Sequence, residues 1–525
     1  FNPFGAPALY IGRPFGTEAG TVDETSDSRT VRAAAGIVWD ISSNWRSEVS
    51  YVYGENEFDL TFNDILLDGF FQPGTNFVVD EYNAFATSIT NPSLANSREF
   101  VASLSTVVPI SLESNLHVLE AGVSGSLAIS GDLEVGIAGG VQYRRNEASL
   151  DAGELINSPG NVLFIFPIDD FGPESVDVYA AYAEVGVPIT SKLNLQAAVR
   201  YENYGGGIGD TVDPKFALTF DASDSVTLRG SVGTSFRAPT PLQISGQTTQ
   251  TVPIVNPCSG QRLASSVLTN GNSELTPEDA TTATLGFAFE RNDIRLSLDY
   301  WSYDYDNVIT RESAEALVAN AACIEVAPGV AVPVADGISL NPLTSQISQI
   351  EVDFINAGSI ETDGIDLKIG KTFSLDDLGT LDLELSGTLI TIFDVQETPN
   401  SPTVDRLDSR NITSFTRSTP DLRANLRASW NMGGHQVTAF VRYIDDYTDD
   451  LNNDRRIDSY TSLDLQYAYV FGEGGTGLTD GLRLQAGALN LTDEQPPFVN
   501  DRGGFDALVH DPRGRLLYVG LTKQF

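Results

Sequence analysis

Histidine, cysteine, methionine and basic residues are scarce in this chain of 525 residues. It has 3 His, 2 Cys and 1 Met, and only 31 Lys and Arg against 71 Asp and Glu, which gives a net charge of -40. Because such a chain repels phosphate backbones, nucleic acid is not an expected partner. The acidity is compatible both with an ordinary solvated surface and with a cell surface facing lipopolysaccharide rich in divalent cations.

Enzyme motifs and spanning helices are also missing from the sequence. It has no HExxH, GxSxG or Walker motif, and His117, His435 and His510 are far apart in the chain. The sequence therefore predicts no enzyme and no organic cofactor. No apolar run approaches the roughly 20 residues that a spanning helix requires, so a membrane could be crossed only by a closed β-barrel.

The chain is rich instead in side chains that alternate between apolar and polar. In residues 213–241, Phe216, Leu218 and Phe220 point one way, and a second arm from Val226 repeats the pattern across a short polar turn. This is the pattern of a β-hairpin. Similar strands recur along the chain, at 29–54, 116–145, 176–201, 281–305, 352–393, 422–443, 457–471, 482–491 and 515–525.

The connections between these strands alternate between short turns and long loops rich in Asp, Asn, Gly, Ser and Pro. All the long connections would fall on one side, as they do in outer-membrane barrels and not in sandwiches or propellers. The predicted fold is therefore an all-β, transmembrane antiparallel barrel wall of about 17 strands. The long connections are expected near 55–114, 146–173, 237–277, 307–349, 394–417 and 493–510.

Several short motifs between about 211 and 525 resemble those of TonB-dependent outer-membrane receptors. They are Pro214-Lys215-Phe216, Leu228-Arg229-Gly230-Ser231, Ser235-Phe236-Arg237-Ala238-Pro239, Asn272-Ser273-Glu274-Leu275-Thr276-Pro277-Glu278, Asn356-Ala357-Gly358, Thr362-Asp363-Gly364-Ile365-Asp366, Asn490-Leu491-Thr492-Asp493 and Asp511-Pro512-Arg513-Gly514-Arg515. The set is specific although each motif alone is weak. The aromatic C-terminus, Phe525, resembles the family's outer-membrane assembly signal, whereas Lys523 departs from it.

The resemblance implies a barrel of 22 strands, an N-terminal plug and a TonB box, and this chain departs from that plan. Nothing before Arg29 resembles a plug, so 1–28 is expected to be an extracellular loop and 29–525 the barrel portion. A separate fragment of the same receptor is expected to supply the plug and the first strands. The alternative is that the sequence is a piece of a longer chain.

By resemblance, the expected function is TonB-driven uptake of a bulky nutrient captured by the outer loops. The implied partners are the TonB-ExbB-ExbD complex, acting through the plug, outer-membrane lipid and lipopolysaccharide, and in some receptors a surface lipoprotein. The substrate stays open between a siderophore, a glycan, a cobalamin and a peptide. A structural or adhesive barrel that binds a partner without transport is the alternative function.

Four residues are candidates for contact with the ligand. Trp301, Tyr303 and Tyr305 share one strand face, where they could stack on sugar or aryl rings or belong to an aromatic girdle at the membrane interface. Arg237 is expected at the rim or in the lumen. It could contact the plug or the substrate, or form an ion pair with a loop carboxylate.

An acidic run is the candidate metal site. Its carboxylates could hold Ca²⁺ in an extracellular loop, although they lack the spacing of an EF-hand and a solvated acidic loop is the alternative. The residues are Asp445, Asp446, Asp449, Asp450 and Asp454. Cys258 and Cys323 both fall in predicted outer loops, where a disulfide is expected in an oxidising compartment; two free thiols are the alternative.

Overall fold

β-Strands make up most of the computed structural model. It describes residues 24–66, 82–83, 96–130, 133–156, 168–205, 207–327, 330–340, 346–398, 401–411, 414–450, 455–472, 479, 481–500 and 503–523. The long strands that form its wall are β1 Glu24–Ser42, β2 Trp45–Ile65, β3 Ser105–Ser130, β4 Leu133–Asp151, β5 Phe171–Thr190, β6 Leu193–Tyr204, β7 Gly209–Ser223, β8 Val226–Arg237, β11 Glu278–Arg291, β12 Ile294–Arg311, β16 Ile347–Ser374, β17 Thr380–Gln396, β19 Leu422–Met432, β20 His435–Ile444, β23 Tyr460–Phe471, β24 Leu482–Leu489 and β25 Leu516–Lys523.

Within the described residues these seventeen strands pair antiparallel in chain order, each with the next. The predicted wall of about 17 strands is confirmed. Among the described residues, β1 pairs only with β2 and β25 only with β24. The wall therefore has two edges whose backbone groups have no ladder partner in this part of the chain.

The two faces of the wall differ in chemistry. One face carries a continuous apolar belt in which Val232, Leu285 and Tyr300 are 50%, 66% and 42% exposed. The belt continues to β25, where Leu517 and Val519 are 71% and 77% exposed. An apolar surface of this extent requires lipid rather than water against it. The opposite face is polar and carries ion pairs, within β6 between Arg200 and Glu202, between β17 and β19, and from β8 across β11 to β12.

The connections alternate as predicted. Short turns join β1 to β2, β7 to β8 and β11 to β12, and the last of these places Asn292 and Asp293 at φ 50° and 63°. Asn and Asp accept this left-handed conformation, which matches the twist of a two-residue hairpin. The predicted long connections leave the strands at the other end of the wall, called here the outer end.

Several strands extend farther toward the outer end than the sequence predicts, and the clearest cases are β1, β2 and β3. β1 begins at Glu24 rather than Arg29, so 24–28 belongs to a strand, and the predicted loop otherwise falls on residues outside the described ranges. β2 continues to Ile65 and β3 begins at Ser105, which shortens the predicted loop 55–114. Strands of 21 and 26 residues exceed the roughly 10 that cross a bilayer, so their ends pair outside it.

Short elements build an outer layer above the wall. The strands are β9 Gln247–Val255, β10 Arg262–Asn270, β13 Ala322–Ala327, β14 Val330–Val334, β15 Ile338–Leu340, β18 Val404–Asp405, β21 Tyr447–Asp449 and β22 Arg455–Ile457. The helices of this layer are α1 Arg98–Leu104, α2 Pro241–Ser245 and α3 Ala314–Ala319. A 3₁₀ turn at Asp376–Leu378 lies at the opposite end of the wall, in the short connection between β16 and β17. No helix among the described residues is both long and apolar enough to span a membrane.

A small apolar core holds part of this layer together. Ile254 of β9, Val267 of β10 and Val318 of α3 pack on Ile350 and Val352 at the outer end of β16, and all five are nearly inaccessible. β10 runs parallel to this end of β16, which ties the loop to the wall. The outer layer therefore fixes the position of the loops around the mouth.

Candidate ligand site at the outer mouth of the wall

Three of the sequence motifs meet at the outer rim. Asn356 donates from Nδ2 to the carbonyl of Thr276 at 2.8 Å and accepts the Thr276 N–H at 2.8 Å. Asn272 donates to the carbonyl of Phe354 at 2.9 Å. Each amide side chain satisfies backbone groups of another segment, so these motif residues join the loop before β11 to the end of β16.

Arg237, a predicted ligand contact, lies at this rim. Its guanidinium donates to both carboxylate oxygens of Glu278, one of them at 2.6 Å, and Glu278 also accepts the Ile309 N–H at 2.7 Å. The predicted ion pair with a loop carboxylate is therefore present. The side chain of Arg237 remains 60% exposed while that of Glu278 is only 9% exposed, so one face of the guanidinium is accessible.

A cavity of about 740 Å³ opens beside Arg237 between the outer loops. We call it the outer cavity. Its lining includes Arg237, Arg311, Arg417, Phe354, Phe393 and Phe415. This size lies within the range of pockets that enclose drug-sized ligands, and such pockets are commonly lined by apolar and aromatic side chains with a few polar or charged groups.

Arg311 and Arg417 have guanidinium N–H donors that form no ion pair with a carboxylate among the described residues. Arg311 donates to Gln250 at 2.8 Å and lies 5.9 Å from the centre of the Phe354 ring. The Arg417 guanidinium has no ion pair or side-chain hydrogen bond among the described residues. Neither cation is neutralised by a paired carboxylate there. A ligand that offers oxygen acceptors would therefore find available charge-assisted donors.

The outer cavity also has acidic side chains. Glu397 is paired with Arg406 at 3.1 Å, and Glu312 accepts the backbone N–H of Asp353 at 3.1 Å. Glu315 lies in the first turn of α3 and is exposed. The lining is thus of mixed charge, which favours a ligand with several kinds of polar group over a simple polyanion.

Trp301, Tyr303 and Tyr305 lie on the polar face of β12. They share this face with Asp299, which pairs with Arg229 of β8, whereas Tyr300 lies on the apolar face. Their placement on the polar face excludes the girdle interpretation for these three rings. Contact with a ligand stays a prediction.

The predicted disulfide is confirmed. Cys258 and Cys323 are bonded, with Cα atoms 5.6 Å apart and 65 residues of sequence between them. The bond joins the turn after β9 to the hairpin of β13 and β14. Two outer loops are therefore covalently tied beside the outer cavity.

The described residues of the acidic run do not converge on one point. Asp446 pairs with Arg456, Asp445 accepts the Tyr443 hydroxyl at 2.7 Å, and Asp449 lies 3.5 Å from the buried Arg410. The described part of the chain contains no group of three or more His, Cys, Asp or Glu side chains able to hold a metal. Asp450 is described and Asp454 is not, so calcium binding stays a prediction.

A buried polar cluster joins three outer loops, and sequence reasoning missed it. Tyr447, fully buried, donates to Asp506 at 3.0 Å, and Ser418 donates to the same carboxylate oxygen at 2.6 Å. Nε2 of His510 lies 3.3 Å from the Tyr447 hydroxyl, and its ring packs edge-on against Tyr460 at 5.1 Å. These residues are separated by up to 92 positions, from Ser418 to His510, and no local pattern connects them.

Burial controls the ionisation of this cluster. It lowers the pKa of His510 and, together with the Asp506 charge, raises the pKa of Tyr447. Both rings are therefore neutral at pH 7. On the same loop, the hydrogen bonds and charge of Arg513 lower the pKa of Asp511 to about 2.

The C-terminal strand matches the predicted pattern where it is described. Leu517, Val519 and Leu521 share the apolar face, and Lys523 shares it too. Phe525, the predicted assembly signal, lies outside the described residues. The Asn490-Leu491-Thr492-Asp493 motif is hydrogen-bonded to the residue just before this strand, because Asp493 accepts the Arg515 N–H at 2.8 Å.

Comparison with known proteins identifies the family. Residues 1–491 match the family described as "TonB dependent receptor-like, beta-barrel". This chain belongs to that family. It is accordingly a bacterial outer-membrane receptor barrel rather than an enzyme, its apolar belt faces lipid and its polar face lines the lumen.

The relatives of this TonB-dependent receptor barrel include siderophore receptors. The probable TonB-dependent siderophore receptor PirA of Acinetobacter baumannii is 21% identical over 364 residues, which cover 66% of this chain and 43% of that protein. The chain thus matches less than half of that relative's length.

Solved structures share the fold at low identity. The ferric enterobactin receptor PfeA of Pseudomonas aeruginosa, solved with enterobactin, has a TM-score of 0.57 and 14% identity over 97% of this chain and 72% of that one. The siderophore receptor PirA of A. baumannii has a TM-score of 0.56 and 12% identity over 94% and 71%. The ferric-catecholate receptor Fiu of E. coli has 0.56 and 14% over 94% and 64%.

Proposed function

We propose that this chain forms the wall and outer loops of a receptor that captures a bulky metal chelate bearing aryl groups in the outer cavity. The observation that carries the proposal is that Arg311 and Arg417 line one cavity together with the rings of Phe354 and Phe415. Guanidinium groups donate to chelate oxygens, and ring faces stack on aryl groups. The naming of several relatives as siderophore receptors supports the same ligand class.

We further propose that uptake is driven by TonB through a plug. The plug and the remaining strands would be supplied by the N-terminal part of the same receptor, which would pair with the free edges of β1 and β25. Unpaired backbone groups in lipid cost several kcal/mol each, so the edges need such a partner. Intact-mass analysis of the purified receptor tests this. Two co-purifying pieces support a cleaved receptor, one longer uncut chain supports the same supply without cleavage, and this chain alone, with no N-terminal part, contradicts the proposal.

The binding proposal is tested with arginine variants of the complete receptor. Arg311→Gln and Arg417→Gln are each expected to raise the Kd for ferric tris(2,3-dihydroxybenzoate) about tenfold to a hundredfold, because each removes a charge-assisted donor. Arg513→Gln is the matched control. Its side chain is 70% exposed and paired with Asp511 in a different loop, so its Kd should not change.

Growth under iron limitation separates transport from simple adhesion. Cells that depend on this receptor should grow on the ferric chelate, and deletion of tonB should stop growth while surface binding persists. Binding without TonB-dependent growth would favour the structural or adhesive barrel. Failure to bind any ferric chelate, whether catecholate, hydroxamate or hydroxycarboxylate, would exclude the proposed function.

A further inference from the structure

Trp301, Tyr303 and Tyr305 form a regular series of rings on the lumenal face of β12. The Trp301 and Tyr303 ring centres are 5.5 Å apart, and those of Tyr303 and Tyr305 are 6.1 Å apart with 16° between their planes. Because alternate residues of a strand repeat every 6 to 7 Å or so, each ring contacts the next. The three side chains make one continuous aromatic surface along the strand.

On the neighbouring strand β16, a glycine leaves space for the first ring of this surface. Gly364 of β16 lies directly opposite Trp301, and a Cβ atom there would overlap Cζ2 of the Trp301 ring. The indole therefore lies against bare backbone and not against a side chain. This arrangement keeps the largest ring close to the wall.

The outer end of the series reaches the outer cavity. Tyr305 lies opposite Ile360 of β16, and Ile360 lines that cavity together with Arg237. The register also places Tyr305 opposite Ala280, two positions along β11 from Glu278, the partner of Arg237. A ligand held among the outer arginines would therefore meet Tyr305 first on this part of the wall.

The inner end reaches a second cavity. This cavity, called the inner cavity because it lies farther along β12 from the outer rim, has a volume of about 670 Å³. Its lining includes Ser297, Asp299, Asp366, Lys368, Thr388 and Arg423, together with Ser418 to Asp421 from the loop after β17. Ser297 and Asp299 precede Trp301 in the sequence and lie on the same face of β12, on the side of Trp301 away from the outer rim. The aromatic series thus spans the distance between two polar cavities on one wall of the lumen.

We propose that these three rings form an aromatic track along which the aryl groups of the chelate move from the outer cavity to the inner cavity. Stacking on each ring is individually weak, and neighbouring ring centres are only 5.5 to 6.1 Å apart. An aryl group can therefore move from one ring to the next without binding any of them tightly. Ring faces carry no formal charge and hold no ligand oxygen in a fixed geometry. The track rests on the proposed function but differs from capture, which belongs to the outer arginines.

Uptake and binding measurements on the complete receptor separate the two roles. Tyr303→Leu and Tyr305→Leu keep apolar bulk and remove the ring, so the initial uptake rate of ferric tris(2,3-dihydroxybenzoate) should fall about three- to tenfold for each. The Kd should change less than about twofold, because the outer arginines are intact. Tyr300→Leu on the lipid face is the matched control and should leave both quantities unchanged.

Fluorescence reports directly whether the chelate reaches the track. The chain has 4 Trp, and Trp39, Trp45 and Trp430 lie close to the short turns at the opposite end of the wall from the outer cavity. Trp301→Phe preserves an aromatic ring and should abolish most of the quenching of tryptophan emission by the bound ferric chelate. Trp430→Phe should preserve that quenching.

The outcomes distinguish failure of the track from failure of the proposed function. If the receptor binds the chelate and imports it at an unchanged rate in Tyr303→Leu and Tyr305→Leu, the track is wrong and the capture site stands. Quenching that survives Trp301→Phe would equally exclude the track. If no ferric chelate binds the parent receptor, the proposed function itself fails, and the track fails with it.

Discussion

At the scale of single residues, side-chain volume decides where the rings of β12 can lie. Gly364 is needed not for an unusual backbone angle but for the space that a Cβ would take from Trp301. The Thr362-Asp363-Gly364 motif thus has a packing role in this chain. At the rim, Asn356 and Glu278 have a different role, which is to satisfy backbone groups of adjoining segments.

Gly364→Ala is expected to displace the Trp301 ring and destabilise the barrel by about 1–3 kcal/mol, because an added Cβ overlaps the indole. The shift should appear as a red-shifted tryptophan emission and a lower unfolding midpoint in denaturant. Gly186→Ala is the matched control, since a Cβ at that position meets nothing within 4 Å. Equal behaviour of the two variants would contradict the packing role of Gly364.

At the scale of elements, the outer loops are held both by short β-pairings, such as β10 with β16, and by tertiary contacts between loops. The Tyr447, Asp506 and His510 cluster joins the loops after β17, β20 and β24, and the disulfide joins the loops after β9 and α3. The wall supports these loops but does not dictate their conformation. Their arrangement therefore depends on the ionisation of buried groups.

The contact between these loops should weaken in mild acid. Burial and the charge of Arg423 lower the pKa of His510, the Asp506 carboxylate opposes this change, and the Tyr447 and Tyr460 rings beside it stay neutral. A lowered pKa means that the folded cluster disfavours the proton. Its stability is therefore full above the ordinary pKa of about 6.5 and is lost as the pH falls toward the lowered value.

Hydrogen exchange of residues 503–515 measures this effect. Exchange should accelerate as the pH is lowered from about 7.5 to about 5, after correction for the intrinsic rate. His510→Gln removes the titrating group and should flatten the profile. His435→Gln is the control, because His435 lies at the opposite end of the wall. An unchanged profile in His510→Gln would show that another group titrates.

At the scale of the whole molecule, the two chemically different faces determine where the protein can reside. The apolar belt runs across consecutive strands and includes Phe216, Val232, Leu285 and Leu298. The lumenal face carries ion pairs such as Arg229 with Asp299 and Arg427 with Asp382. A barrel in lipid requires this division because charged groups on the lipid side are costly.

A charge placed on the belt should therefore impair the receptor more than one placed in the lumen. Leu285→Arg, near the middle of β11, is expected to cost about 2–4 kcal/mol in a bilayer. Thr284→Arg, its neighbour on the lumenal face, should cost much less. Denaturant titration in lipid vesicles compares them, and an equal cost would reverse the assignment of the faces.

Sequence alternation by itself determined the strands, their number and the alternation of short and long connections. The reason is that the two-residue period of a strand is local. The alternation of apolar and polar residues within each strand shows which of its faces meets lipid. The motifs likewise indicated the family. The disulfide was predicted because only 2 Cys are present and both fall in outer loops.

Only the tertiary structure decided which side chains meet. The alternation of Trp301, Tyr303 and Tyr305 with Tyr300 was visible in the sequence, but the placement of the first three in the lumen depended on pairing with β11 and β16. Arg311, Arg417 and Phe354 come from separate segments and share the outer cavity only after the loops fold. Their proximity follows from register and loop packing between distant residues, which no local pattern encodes.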